Sequence, residues 1–196
     1  LPLLEPAAAR EVCAKLTEVD QPPSEPESIR QVILLGLKMR RKDAEKEDAA
    51  ASALGLLGNY LVVSDGSSTQ PQLHILDARV GTLPEVGSMP LPAPARHIAI
   101  SGHRAFVSLG SVGIVQLVEL TDPTQPGPAG QLQLSDPLGG HWYSAEKATV
   151  SGGIVHVAAG GGKVMRFLAP VGQSPTLLER LTVQGDATAV GFAGRY

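Results

Sequence analysis

The residues able to do chemistry are few in this chain, and their spacing limits what they could do. His74, His97, His103 and His156 fall on separate apolar segments with no H-x-H or H-E-x-x-H spacing. A metal site would therefore need them to converge in three dimensions, and packed or solvent-facing strand histidines are the simpler reading. Asp65 and Asp77 stand at the ends of apolar segments, where a carboxylate accepts hydrogen bonds from turn amides. The run Ser64-Asp65-Gly66-Ser67-Ser68 lacks the G-x-S-x-G elbow of a serine nucleophile. Gly160 to Lys163 (GGGK) lacks the full phosphate-loop pattern, and a strand-like segment follows where a helix would be needed. Both read as turns. Cys13 is the only cysteine; without an internal partner it reads as a small buried hydrophobe. No cofactor motif is present and no cofactor is expected. Catalysis is left one route: Asp65, Arg96, His97 and His141 would have to gather within hydrogen-bond reach at one end of a channel.

Aromatic residues make up only 4% of the chain, so a cluster of them is informative. The stretch SDPLGGHWYSAEK, from Ser135 to Lys147, holds the only Trp together with one of three Tyr and one of five His. Rigid aromatic side chains give recognition area at low entropy cost. His141, Trp142 and Tyr143 are therefore the candidate binding residues. The competing reading has Trp142 filling a gap between two structural units.

Charge excludes some partners. A net charge of −3 and a pI near 5.9 offer no clustered cationic surface for a nucleic-acid backbone. Lys38, Arg40, Arg41 and Lys42 are followed at once by Asp43, Glu45, Glu47 and Asp48, which reads as a solvated helix or linker. No apolar run reaches the ~18 residues of a membrane-spanning helix, and no signal-peptide pattern opens the chain. Membrane insertion is not expected.

The elements that must position these residues come from a repeat. GNYLVVSDG (Gly58 to Gly66), GHRAFVSLG (Gly102 to Gly110) and GGIVHVAAG (Gly152 to Gly160) share a leading and a trailing glycine. Before the leading glycines lie SALGLLG, RHIAISG and EKATVSG, and a fourth copy, TAVGFAG, ends at Gly194. The glycines at 58, 102, 152 and 194 are separated by 44, 50 and 42 residues, close to the period of a propeller blade, roughly 40 to 50. After each trailing glycine come a third apolar segment and a more polar fourth (EVGSMPL, PAGQLQL, LERLTVQ). Each unit thus predicts four short antiparallel strands, with Pro90 on an outer edge where its missing N–H is tolerated. Sheets this small become stable when packed face to face about an axis. The predicted fold is mainly β: a β-propeller-like repeat with units 52–95, 96–145 and 146–187 and the start of another at 188–196. From the fourth segment to the next leading glycine there are 11 residues in the first and third units but 18 in the second. The additional residues place the His141, Trp142 and Tyr143 stretch in an inserted loop, a common binding position in repeat proteins.

LHILD, from Leu73 to Asp77, resembles the motif of the LVIVD-repeat family, and VQLVE, from Val115 to Glu119, is similar with Glu in the acidic position. TDPTQP, from Thr121 to Pro126, resembles the Asp-Pro-x-x-Pro turn of that family, whereas VMRFL from Val164 has lost the acidic residue. The resemblance implies a propeller of large bacterial proteins at the cell surface or outside the cell. It implies no particular activity.

Residues 1–51 read as an N-terminal helical or linker segment, with an apolar stripe of Leu4, Ala8, Val12, Leu16 and Val19. Residues 27–40 fit two patterns. They form a capped helix from Ser24 and Glu27, or, as the continuous run RQVILLGLKM, the last strand of a preceding blade. A propeller has 4 to 8 blades, so the expectation is part of a larger propeller, its open faces met by the remaining blades of a parent protein or by self-association. The functional expectation is a non-catalytic interaction or structural module that holds a protein or glycan through blade-edge loops. The alternative is part of a propeller hydrolase or lyase with its active groups at the central channel.

Overall fold

Among residues 51–135 and 143–191, which the computed structural model describes, the apolar segments form twelve strands. The first sheet contains β1 (Ala51–Leu57), β2 (Tyr60–Asp65), β3 (Gln72–Asp77) and β4 (Glu85–Pro90). The second contains β5 (His97–Ser101), β6 (Arg104–Ser108), β7 (Ile114–Glu119) and β8 (Gly127–Gln133). The third contains β9 (Ala145–Ser151), β10 (Ile154–Ala159), β11 (Lys163–Leu168) and β12 (Thr176–Thr182). Each is an antiparallel meander in chain order, as the repeat predicts. The expectations for the segment 1–50, including Cys13 and residues 27–40, and those for His141 and Trp142, fall outside the described residues.

The leading glycines make the repeat possible. Gly58, Gly102 and Gly152 have φ of 54°, 59° and 58° at the first central position of two-residue hairpins that pair Leu57 with Tyr60, Ser101 with Arg104 and Ser151 with Ile154. Only glycine enters that conformation without strain, and such a turn matches the twist of the strands it joins. Pro90 lies on β4, which pairs only with β3, so its missing donor faces no partner strand.

Cross-strand partners share a face, so the register shows what packs between sheets. Val62 and Ile75 are partners and join Ile98, Ala105, Val107 and Val118 in one buried cluster between the first and second sheets. Phe106 and Leu117 are partners and join Val155, Val157, Met165 and Phe167 in a second cluster between the second and third. Full burial of each such side chain contributes about 1.5–3 kcal/mol. Their first strands, β1, β5 and β9, are neighbours in space. Polar groups also tie the sheets together. Arg104 donates from Nη2 to the Ala169 carbonyl at 2.8 Å and from Nη1 to that of Pro170 at 3.2 Å. Gly110 and Ala145 exchange backbone hydrogen bonds of 3.0 and 2.8 Å.

The third sheet departs from the other two on its far side. Four residues after the leading glycine stand Val62, Phe106 and His156, and their β-partners are Ile75, Leu117 and Arg166. Two apolar pairs are thus followed by a polar one, with Arg166 in an ion pair with Glu179.

Two boundaries are corrected. The fourth strand of the third unit runs over Thr176–Thr182 rather than 178–184, because Lys163 and Val164 pair with Thr182 and Leu181. The strand expected to open a fourth unit is not formed over residues 188–191. A strand needs a neighbour to satisfy its backbone, and no second strand of that unit lies among the described residues; 192–196 lie outside them. The described residues contain no helix, hence none long and apolar enough to cross a membrane.

Candidate functional site

In a four-stranded meander the loops after the second strand and after the fourth emerge at the same end. That end here carries the segments 66–71, 109–113 and 160–162, the connection 91–96, and residues 134–135 and 143–144 of the next one. It gathers Asp65, Arg96, His97 and Tyr143 at one edge of the array, but it does not bring them together. Asp65 accepts a hydrogen bond from the Gln72 amide at 2.8 Å. Arg96 is exposed, and its side chain lies alongside Gly110. His97 pairs with Ser108 on the second sheet. No hydrogen bond or ion pair joins Asp65, Arg96 and His97, so within the described residues the convergent cluster required for catalysis is not assembled; His141 lies outside them.

Asp65 and Asp77 have the turn-stabilising roles expected of them. The Arg79 amide and Nε both donate to Asp77 Oδ1 at 2.9 Å, and Nη2 donates to Oδ2 at 2.7 Å. The Arg79 side chain, then its amide, hold the Asp77 carboxyl below its ordinary value, and the guanidinium lies 5.5 Å from the Tyr60 ring centroid. In the TDPTQP turn, Asp122 Oδ1 accepts from the Thr124 amide at 2.9 Å and from Thr124 Oγ1 at 2.7 Å. Those bonds likewise lower the Asp122 carboxyl.

Sequence reasoning missed one polar constellation. His74 lies between two carboxylates, with Nδ1 2.9 Å from Glu85 Oε2 and Nε2 3.5 Å from Asp65 Oδ2. The carboxylates address opposite ring nitrogens, so one ion could not be ligated by all three. Among the described residues no group of three or more His, Cys, Asp or Glu could hold a metal. The only signal in the sequence is the register that sets β2, β3 and β4 side by side. Nearby, a cleft of about 450 Å³ is lined by Ser68, Thr69, Gln70, Pro71, Pro90 and Pro92, among others. It offers hydroxyl and amide groups but no titratable side chain.

The candidate binding loop is anchored at both ends. The Tyr143 amide donates to the Leu134 carbonyl at 2.8 Å, which holds the two ends of the 136–142 segment together. Arg180, from β12, donates through Nη2 to the Ser135 carbonyl at 2.9 Å. Its guanidinium also lies 5.6 Å from the centroid of the Tyr143 ring, a favourable cation–π contact. Tyr143 is half-buried and packs on the core between the second and third sheets. Of the three candidate residues it is the one described, and its surroundings make it part of the loop's base.

His97 supplies a test of electrostatics at this edge. Its Nδ1 and the Oγ of its partner Ser108 are both buried without a hydrogen-bond partner. Burial, and then the Lys147 charge, hold the imidazole below its ordinary value. Burial and then Arg166 act likewise on His156, opposed by Glu179. A histidine with a depressed folded value binds fewer protons than in the unfolded chain, so stability rises with pH across the interval between the two values. Lowering pH from 7 to 5, through the unfolded value of about 6.5, is therefore expected to lower Tm. A His97→Gln variant should show a shallower slope over that interval, measured by thermal unfolding at each pH. An unchanged slope would mean that His97 titrates alike in both states.

No protein-family model matches the chain, and no curated protein matches it. Solved structures do. The computationally designed Ika8 protein aligns with a TM-score of 0.57 at 17% identity, over 74% of this chain and 40% of that one. BamB from Moraxella catarrhalis aligns with a TM-score of 0.53 at 17% identity, over 70% and 39%. The Cps50 (Swd1) beta-propeller domain of Myceliophteria thermophila aligns with a TM-score of 0.55 at 17% identity, over 84% and 46%. This chain spans less than half the length of each. With three meander sheets packed face to face, these likenesses show the fold: the described residues form three blades of a β-propeller type.

Proposed function

We propose that this chain is a non-catalytic interaction module that holds a protein or glycan through the loops at its blade edge. His141, Trp142 and Tyr143 are the proposed contact residues. The observation that carries the reading is the anchoring of the inserted loop: Leu134 and Arg180 fix its two ends, Ser135 and Tyr143. A base held in this way lowers the entropy cost of ordering the loop on a partner. The scattering of Asp65, Arg96 and His97 favours binding over a channel-centred hydrolase or lyase. The LHILD and TDPTQP resemblance supports assignment to a larger bacterial protein at the cell surface or outside the cell.

Replacing Trp142 with Ala is expected to reduce binding at least ~10-fold, the loss of a modest hot spot, while Tm moves by no more than a degree or two. The comparison is made between the two purified chains on a glycan array and on an array of immobilised envelope proteins. Equal binding by both chains would remove Trp142 from the contact. A collapse of Tm would make it a gap-filling core residue.

A further inference from the structure

The turn from the second strand to the third is where the first blade departs from the repeat. It runs over 66–71 in the first blade, against 109–113 in the second and 160–162 in the third, and its sequence, GSSTQP, is richer in polar side chains than LGSVG or GGG. Insertions in repeat arrays map to loops, often on a binding face. Across from this turn the chain leaves β4 through Pro90, Leu91 and Pro92. Between the two lies the cleft of about 450 Å³, within the range of small-molecule sites, about 300–1,000 Å³.

The walls of the cleft are held in place by the chain itself. Asp65 Oδ1 accepts the Gln72 amide at 2.8 Å and Ser67 Oγ accepts the Gln70 amide at 3.1 Å, while the Leu91 amide donates to the Pro71 carbonyl at 2.8 Å and so clamps one wall to the other. Proline rings fix φ on both sides. Against this backbone, the Ser68 hydroxyl and the side-chain amides of Gln70 and Gln72 make no hydrogen bond among the described residues. They are left for an outside partner. Hydroxyl and amide groups each donate and accept, so they match a ligand whose surface is dense in hydroxyls. No lining side chain carries a charge, and the Asp65 carboxylate that holds the Gln72 amide adds a negative field, so an anionic ligand meets no counter-ion. We propose that this cleft is a site for a neutral saccharide, in which Ser68, Gln70 and Gln72 bond sugar hydroxyls while Pro90 and Pro92 pack against C–H faces of the ring. It deepens the glycan reading of the proposed function, and rests on it, while placing the sugar on the first blade rather than on the inserted loop. With no aromatic platform in the cleft, the affinity expected for a single sugar is in the millimolar range.

The experiment titrates the isotope-labelled 196-residue chain with the methyl glycosides of glucose, galactose and mannose, and with the uronic-acid counterpart of each, following backbone amide signals by NMR. Saturable shifts at Ser68, Gln70, Gln72 and Leu91 are expected with at least one neutral glycoside, and weaker binding of its acid. Gln70 is exposed, so Gln70→Ala should leave Tm unchanged and weaken binding about 5-fold, the loss of one hydrogen bond. Trp142→Ala should bind the glycoside as the unaltered chain does. No saturable shift with any neutral glycoside would overturn the proposal, as would an acid that binds equally or better, or an unchanged affinity in Gln70→Ala. Shifts confined to residues 143–145, or lost in Trp142→Ala, would give the sugar to the inserted loop and overturn the cleft while leaving the proposed function standing.

Discussion

Phe106→Ala is expected to destabilise the protein by about 3–5 kcal/mol, which at this chain size lowers Tm by roughly 6–20 °C. Phe106 is 1% exposed at the centre of β6 and projects into the cluster shared with Val155, Val157, Met165 and Phe167 of the third blade. Its strand neighbours in the sheet are Ala99 and Leu117, and the small Ala99 offers little volume to refill the space. The loss therefore combines transfer free energy with a cavity. Denaturant unfolding is the suitable measurement, because the m-value reports cooperativity as well as stability. A lower midpoint with unchanged m would show weakened but intact coupling. A broad transition with reduced m would show the third blade unfolding by itself, the expected failure of an array held by nearest-neighbour contacts. A change below 1 kcal/mol would mean that this cluster does not hold the two blades together.

The second large effect concerns a glycine. A Cβ built on Gly87 would stand 2.4 Å from the Pro123 carbonyl oxygen and 2.9 Å from Pro126 Cδ, so β4 of the first blade and the TDPTQP turn of the second approach more closely than any side chain allows. The turn cannot yield cheaply, since Asp122 binds Thr124 twice and accepts the Gln125 amide through its carbonyl at 3.0 Å. Gly87→Ala is expected to cost about 1–3 kcal/mol by overpacking. Gly81 is the control: an added Cβ there meets nothing within 4 Å, so Gly81→Ala should stay within about 0.5 kcal/mol. Equal effects at the two positions would place the cost in backbone entropy rather than in the contact between blades.

Gly87 also marks the boundary of what a linear reading recovers. The hairpins were legible because Gly58, Gly102 and Gly152 recur beside alternating apolar residues, and a two-residue turn is a local property. Pro90 was legible as an outer-strand residue for the same reason, since its missing donor constrains its own strand. The Gly87 contact depends on a turn about 36 residues later in the chain, and its residue type alone suggests only a bend. Arg104 reaches carbonyls 65 and 66 residues away, and Arg180 reaches Ser135 across 45. Both read as ordinary surface cations until the blades are stacked. The His74 constellation was hidden because its carboxylates come from two neighbouring strands whose register no single segment specifies. At the candidate site, composition and the longer connection of the second unit drew attention to His141, Trp142 and Tyr143. The role of Tyr143 in the loop's base needed Arg180, which sequence gave no reason to place there.

The meander order has a consequence for biosynthesis. Among the described residues each strand's ladder runs only to its immediate neighbours in the chain, so each of the three sheets is built from one continuous segment. As the polypeptide leaves the ribosome, the second blade is complete once β8 has emerged, and it docks on the first while the third is still being made. Contacts this local in sequence close quickly, and domains form N-terminal first during synthesis. The interface around Phe106, Val155 and Phe167 forms only once the third blade has emerged. A nascent chain stalled before β9 would therefore present an uncovered Phe106 and Leu117 to chaperones, until Val155 and Phe167 of the third blade close over them.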